Sequence, residues 1–238
     1  MNLQHIRTDI IIPCRNEAGN IATLLKQIMA ILKDGDRILV VEGGSTDNTW
    51  EVINDFTKNQ SEFITIKQSG KGKFNAVLDG IKKSSADYIM IWDADGTVSF
   101  TDNKKIYSYR SNEEYFITGD RLSGTREKGS MQRANYFANK LFAIWWGFLL
   151  KTAPIDSLCG SKKFPRELFT PEPVKLLEVD PYGDFTIMAL ARKERIKIVT
   201  FPVLYGARTY GKTNIRRWRG GLHLLRGIIL ITFNRNWN

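Results

Sequence analysis

Four short apolar runs, Asp9–Ile12, Arg37–Val41, Phe63–Ile66 and Tyr88–Trp92, recur along the first part of this chain with a helical pattern between each and the next. Strands joined by tight turns pair antiparallel, whereas strands joined through a helix return to the same end and pair parallel. Ile21, Leu24, Leu25 and Ile28 form one stripe of a helix over Glu17–Leu32. Ser45-Thr46-Asp47 offers capping side chains to a helix carrying Trp50, Val52, Ile53 and Phe56. Ala76, Val77, Gly80 and Ile81 share a face over Lys73–Lys83. The pattern predicts an α/β fold with a mostly parallel, Rossmann-like central sheet flanked by helices, which binds nucleotides at the carboxyl ends of its strands.

The fourth run ends in Asp93-Ala94-Asp95. A buried strand would deliver both carboxylates to the ligand-binding edge of such a sheet. Carboxylates that close repel each other unless a cation lies between them. Hard oxygen ligands with open positions suit Mg²⁺ or Mn²⁺, which then grips phosphate oxygens. On its own an Asp-x-Asp pair is as readily a solvated loop, so its surroundings decide.

A chain of 238 residues suffices for one domain with a full core. With 42 % hydrophobic and 25 % charged residues it is not a disordered composition. Cys14 and Cys159 make no disulfide framework and read as reduced thiols, and two histidines, His5 and His223, leave little room for a His-rich metal site. The polar start, Met1–Asp9, passes directly into a strand, and no secretory leader is expected. The net charge of +10 calls for an anionic partner. Its late cluster, Arg208, Lys212, Arg216, Arg217, Arg219, Arg226 and Arg235, lies beside apolar stretches without an RNA- or DNA-binding signature. Phosphorylated substrates and an anionic membrane surface are therefore expected, and nucleic acid is not.

The second half is less regular. Tyr115–Thr118 and Ile196–Leu204 read as strands, and Arg121–Ser130 as a polar loop. Asn135–Leu150 is apolar and aromatic but too short to span a bilayer. It reads either as a core helix or as an interfacial helix with Trp145-Trp146 at headgroup level. Trp218–Phe233 reads as a basic helix with an apolar face.

Several segments, in order, carry a resemblance. Pro13-Cys14-Arg15-Asn16-Glu17 closes the first strand as P-x-x-N-E. Val41 to Thr49 is similar to a D-D-G-S-x-D-x-T pattern, with Glu42 and Gly43 in place of the two acids. Gly70-Lys71-Gly72-Lys73 makes a glycine-lysine-glycine turn before a helix, where backbone approaches phosphate closely. After Asp93-Ala94-Asp95 come Gly119-Asp120-Arg121, Gln132-Arg133-Ala134-Asn135, Asp156 to Phe164, Tyr182-Gly183-Asp184-Phe185 and Arg208 to Asn214, where Asn214 replaces a usual lysine. From Ile10 to about Phe233 the chain resembles family 2 glycosyltransferases of the GT-A fold, particularly the dolichol- and polyprenyl-phosphate hexosyltransferases.

The resemblance implies a single domain over 1–238. About 8–120 would bind the nucleotide sugar, about 121–215 the acceptor, and about 216–238 would form a basic amphipathic helix. It implies inverting transfer of a hexose from a GDP- or UDP-sugar to a polyprenyl or dolichyl phosphate. The enzyme would sit peripherally on the cytoplasmic face of a membrane, with a membrane partner subunit as a further expectation. Asp95 and Asp93 would hold the Mg²⁺ or Mn²⁺, which helps the nucleoside diphosphate depart. Pro13, Arg15, Glu17, Glu42, Lys71 and Asp93 would contact the donor, joined from the second half by Arg121, Arg133, Arg208 and Lys212. Asp184 would be the acceptor-side acid.

The acceptor decides whether a base is needed. A hydroxyl needs a carboxylate such as Asp184 to take its proton, whereas a lipid phosphate is already anionic and needs positive charge. The basic residues and the Trp-rich stretch favour lipid phosphate. A transferase acting on a sugar or glycolipid hydroxyl in surface-polysaccharide synthesis is the rival. A nucleotidyltransferase would want a glycine- and arginine-rich loop after the first strand, which is absent. A non-catalytic nucleotide- or membrane-binding module would not need Asp93 and Asp95 intact.

Overall fold

A computed structural model describes residues 6–169, 180, 182–208, 210, 226 and 229. The four runs form β1 (Thr8–Cys14), β2 (Ile38–Glu42), β3 (Phe63–Lys67) and β4 (Tyr88–Ile91), with α1 (Ile21–Met29), α2 (Thr49–Thr57) and α3 (Lys73–Lys83) between them. β1 pairs parallel with β2 and β4, and β2 with β3, as helix-linked strands require. The rest of the chain adds α4 (Phe100–Ser108), β5 (Tyr115–Asp120), α5 (Arg133–Leu150), β6 (Lys162–Pro165), a 3₁₀ turn (Arg166–Phe169), α6 (Asp184–Lys193) and β7 (Lys197–Pro202). The sheet order is β3-β2-β1-β4-β6-β5-β7. β6 runs antiparallel to β4 and β5, while β5 and β7 pair parallel.

Period-two alternation sends side chains to both faces, and helices cover both, which is why the inner strands are apolar without interruption. Ile11, Leu39, Val41, Ile89 and Ile91 face α3, α5 and α6, packing with Val77, Trp146 and Phe185. Ile10, Ile12, Ile38, Val40 and Met90 face α1 and α4, packing with Leu25, Ile28 and Ile106.

The structure departs from the sequence expectation at three places, the start of the first helix and two elements after β4. α1 starts at Ile21 rather than Glu17, because the Glu17 amide donates to Thr49 Oγ1 at 2.9 Å and holds the chain in a loop. α4 and β6 were not expected. The Trp145-Trp146 pair faces inward: Trp146 is wholly buried and Trp145 packs half-buried against the same core, both ringed around Phe185. The expected basic helix over Trp218–Phe233 lies outside the described residues except Arg226 and Ile229, as do Lys212, Asn214, Arg216 and Arg217. Among the described residues no helix is long and apolar enough to cross a membrane.

Candidate active site

The loops after β1 and β2 are fastened to each other by their own motif residues. Asn16, in the left-handed region at φ 57°, donates its amide to Ser45 Oγ at 2.9 Å and accepts from the Thr46 amide at 2.8 Å. Asp47 accepts from the Ala18 amide at 3.4 Å and the Thr49 amide at 3.1 Å. Much of the Asn-Glu and Ser-Thr-Asp-Asn-Thr pattern is thus loop scaffolding. It fixes a mouth at the carboxyl ends of the strands, where open α/β sheets hold ligands.

That mouth is a cleft of about 720 Å³. Pro13, Arg15, Glu17, Lys71, Asp93, Asp95 and Arg208 line it, together with Gln68, Lys73 and Tyr182. Glu42, Arg121, Arg133 and Asp184 are placed elsewhere. Glu42 is buried and takes the Ser45 amide at 2.5 Å. Arg121 is buried in a two-pronged ion pair with Asp156, at 2.7 and 2.8 Å. Arg133 is exposed at the first turn of α5. Lys212 lies outside the described residues.

The cleft floor carries crossed charge pairs. Lys73, the first residue of α3, reaches Asp93 Oδ1 at 2.6 Å. Arg208 bridges Glu17 Oε1 at 2.9 Å and Asp95 Oδ2 at 2.6 Å, tying the chain after β7 to the ends of β1 and β4. Asp95 Oδ1 accepts the Thr97 amide and hydroxyl at 3.0 and 2.8 Å, which closes the turn and aims Oδ2 into the cleft. Burial pushes the Asp93 carboxyl up, but the Lys73 ammonium outweighs it and holds it below the usual carboxylate range. For Glu17 burial wins over Asn20 and Arg208, and its carboxyl is raised. Gly160 is required where it stands, because any Cβ there would collide with the Asp93 carboxylate. Neither Lys73 nor Gly160 was singled out from sequence. Lys73 had a signal, since it is the first helical residue after the glycine turn and points where a helix N-terminus receives anions.

Beneath the floor, Asp184 opens α6 and is held by Lys162 Nζ at 2.5 Å, which also donates to Cys159 O. Asp180 caps the same helix, accepting the Gly183 and Thr186 amides at 3.0 and 2.8 Å. Burial, and after it the Asp184 charge, push the Asp180 carboxyl up from its ordinary 3.8 to about 6. The folded chain therefore keeps a proton that the unfolded chain has lost. This contribution is fully present below about pH 4, falls as pH rises through about 6, and is level above that. Asp180→Asn is expected to flatten this component, worth on the order of 3 kcal/mol, in urea unfolding run from pH 4 to pH 7. An unchanged slope in the variant would assign the titration to another group.

The donor chemistry suits a hard divalent cation. Asp93 and Asp95 face the cleft with a positive group already against each. Among the described residues no cluster of three or more His, Cys, Asp or Glu could enclose a metal. The Asp93 and Asp95 carboxylates fit Mg²⁺ or Mn²⁺, which takes one or two carboxylates and completes its shell with water and substrate phosphate.

Solved structures share this architecture. Mannosyl-3-phosphoglycerate synthase from Rubrobacter xylanophilus matches with a TM-score of 0.72 and 18 % identity over 98 % of this chain and 76 % of that one. Glucosyl-3-phosphoglycerate synthase from Mycobacterium tuberculosis, in complex with Mn²⁺, UDP-glucose and phosphoglyceric acid, matches at 0.67 with 16 % identity over 95 % and 79 %. At such identities the likeness is one of fold, the GT-A fold. The chain belongs to glycosyl transferase family 2, whose model matches residues 9–165. Glycosyltransferase AglJ of Haloferax volcanii is 31 % identical over 229 residues, 95 % of this chain and 70 % of AglJ. Poly-beta-1,6-N-acetyl-D-glucosamine synthase of Staphylococcus epidermidis is 33 % identical over 88 residues, 37 % of this chain and 21 % of that protein. The protein is a glycosyltransferase that takes its sugar from a nucleotide sugar.

Proposed function

We propose that the protein transfers a hexose, with inversion, from a GDP- or UDP-sugar to a polyprenyl or dolichyl phosphate at the cytoplasmic surface of a membrane, with Mg²⁺ or Mn²⁺. The observation that carries the acceptor is α5. Its inner face packs Phe142, Trp145 and Trp146 around Phe185, the neighbour of Asp184. Its outer face exposes Phe137, Leu141, Ile144 and Phe148 at 64, 68, 55 and 80 %, spaced as one helical stripe. Arg133, Lys140 and Lys151 stand exposed around it. An apolar stripe with a cationic rim suits the headgroup zone of an anionic bilayer, and the inner face of the same helix packs on Phe185 beside Asp184.

The state of Asp184 supports the same acceptor. A carboxylate clamped by a buried lysine is poorly placed to take a proton from a hydroxyl, whereas a phosphate nucleophile brings none to remove. Arg15, Lys71, Lys73 and Arg208 supply positive charge to the donor diphosphate and to the incoming phosphate. Asp95 and Asp93 would hold the divalent ion, whose chemistry is charge neutralisation on the leaving diphosphate.

The test offers UDP- and GDP-sugars with Mn²⁺, with and without polyprenyl phosphate, and extracts product into organic solvent. Labelled sugar in the organic phase only when polyprenyl phosphate is present is the expected result. Transfer to a sugar hydroxyl, with no lipid product, would overturn the acceptor and favour polysaccharide synthesis. Independently, the Phe137→Ser, Phe148→Ser double variant is expected to bind phosphatidylserine vesicles at least about tenfold more weakly. Wild-type binding should also weaken as salt rises. Equal sedimentation of variant and wild type would remove α5 from the membrane.

A further inference from the structure

The cleft has two chemically different ends. At the β4 end Lys73, Asp93, Asp95 and Arg208 crowd together and suit a diphosphate with its cation. The other end, beyond β2 and β3, is lined by Gly43, Gly44 and Gln68, with no acid among them. Glu42, one residue away, is only 5 % exposed and spends Oε1 on the Ser45 amide. Gly43 has no side chain to offer, and a Cβ there would stand 2.8 Å from Gln68 Oε1.

Gln68 fills the place. Its amide nitrogen donates to Glu42 O at 2.9 Å, extending the β2–β3 ladder and anchoring the side chain at its root. Its Nε2 donates to Gly72 O at 2.7 Å and to Asn75 Oδ1 at 3.2 Å. Both side-chain N–H groups are thereby consumed, and flipping the amide would set Oε1 against two acceptors. Oε1 is left as an acceptor of fixed direction, turned toward Gly43 in the cleft wall.

We infer that Gln68 Oε1 reads the base of the donor nucleotide by accepting a ring N–H, and so selects uridine or guanosine over cytidine or adenosine. The assignment rests on the nucleotide-sugar reading of the cleft and adds the group that chooses the base. Uracil carries N3–H and guanine N1–H on the Watson–Crick edge. Cytosine and adenine present a bare ring nitrogen there, which would face Oε1 acceptor to acceptor. A site with a fixed, unmatched acceptor rejects such a base.

The experiment measures calorimetric binding of UDP, GDP, CDP and ADP to the full chain with Mn²⁺. It then repeats the tighter of UDP and GDP with its ring nitrogen methylated. In the wild type, CDP, ADP and the methylated nucleotide are each expected to bind about tenfold or more weakly than the tighter parent. In Gln68→Leu the parent should weaken about tenfold, and the ratio of parent to methylated nucleotide should collapse toward one. Gln68→Glu, which still accepts an N–H, should keep that ratio. Wild-type binding that ignores methylation, or a Gln68→Leu variant that keeps the wild-type ratio, overturns the role of Gln68 while leaving the transferase reading in place. Binding of none of the four nucleotides would overturn both.

Discussion

Asp95→Asn is expected to lower kcat/KM for sugar transfer by about 10³-fold or more while leaving the fold intact. The two oxygens of this carboxylate have separate tasks. Oδ1 closes the turn onto Thr97, and an asparagine Oδ1 accepts the same two hydrogens. Oδ2 faces the cleft and Arg208, and there the variant replaces a negative charge with a donor. The stability cost is confined to a partly exposed ion pair, worth no more than about 1 kcal/mol. The functional cost is the loss of the charge that would hold a divalent ion, together with a misplaced Arg208. The measurement is kcat/KM as a function of Mn²⁺ concentration, beside a thermal melt of the same sample. Full activity at every Mn²⁺ concentration would sink the metal assignment. An unfolded variant would instead show that the Oδ2 pairing with Arg208 holds the fold, and Asp95→Ala, which also loses the turn onto Thr97, should then be no more stable.

The first four strands were legible because each is a local apolar run beside a local helix, and pairing them needs only the parallel rule. β6 was not. Its four residues are two lysines, a phenylalanine and a proline, yet it lies antiparallel between β4 and β5 in the middle of the sheet. The lysines are buried because their partners come from distant parts of the chain. Lys162 meets Asp184, while Lys163 donates to Tyr107 O and Tyr109 O at 2.8 and 3.0 Å under the faces of Tyr88, Tyr107 and Tyr115. No periodicity in a short window reveals such a strand. α4 left a fainter trace: Ser99 accepts from the Asp102 amide and donates to its carboxylate, a capping pattern that its weakly amphipathic sequence hides. In the site, motif residues on strand-end loops, such as Pro13, Glu17, Asp93 and Asp95, all line the cleft. Charge alone does not place others such as Arg121, because a basic residue does not declare whether its anion is a ligand or a carboxylate elsewhere in the fold.

Arg121 separates those two cases, and its variants should fail in stability. The Asp156 carboxylate receives Nε at 2.7 Å, Nη2 at 2.8 Å and the Arg121 amide at 3.0 Å, and both residues are buried. The guanidinium also lies 5.3 Å from the Tyr205 ring. Burial pushes the Asp156 carboxyl up, but the Arg121 charge overcomes it and holds it below the usual carboxylate range. Arg121→Met strands that carboxylate and Asp156→Ala strands the guanidinium, so each is expected to cost about 3–5 kcal/mol, a fall in Tm on the order of 10 °C. Arg121→Lys keeps the charge but loses the fork, and should fall between. Replacing both partners with apolar residues should recover much of the loss, because no lone charge is then buried. A donor-binding Arg121 predicts the reverse: Arg121→Met would melt like the wild type and lose affinity for UDP or GDP, and Asp156→Ala would leave that affinity alone. Melting curves and nucleotide binding on the four variants beside the wild type decide between them. Loss of affinity without loss of Tm would return Arg121 to the donor site.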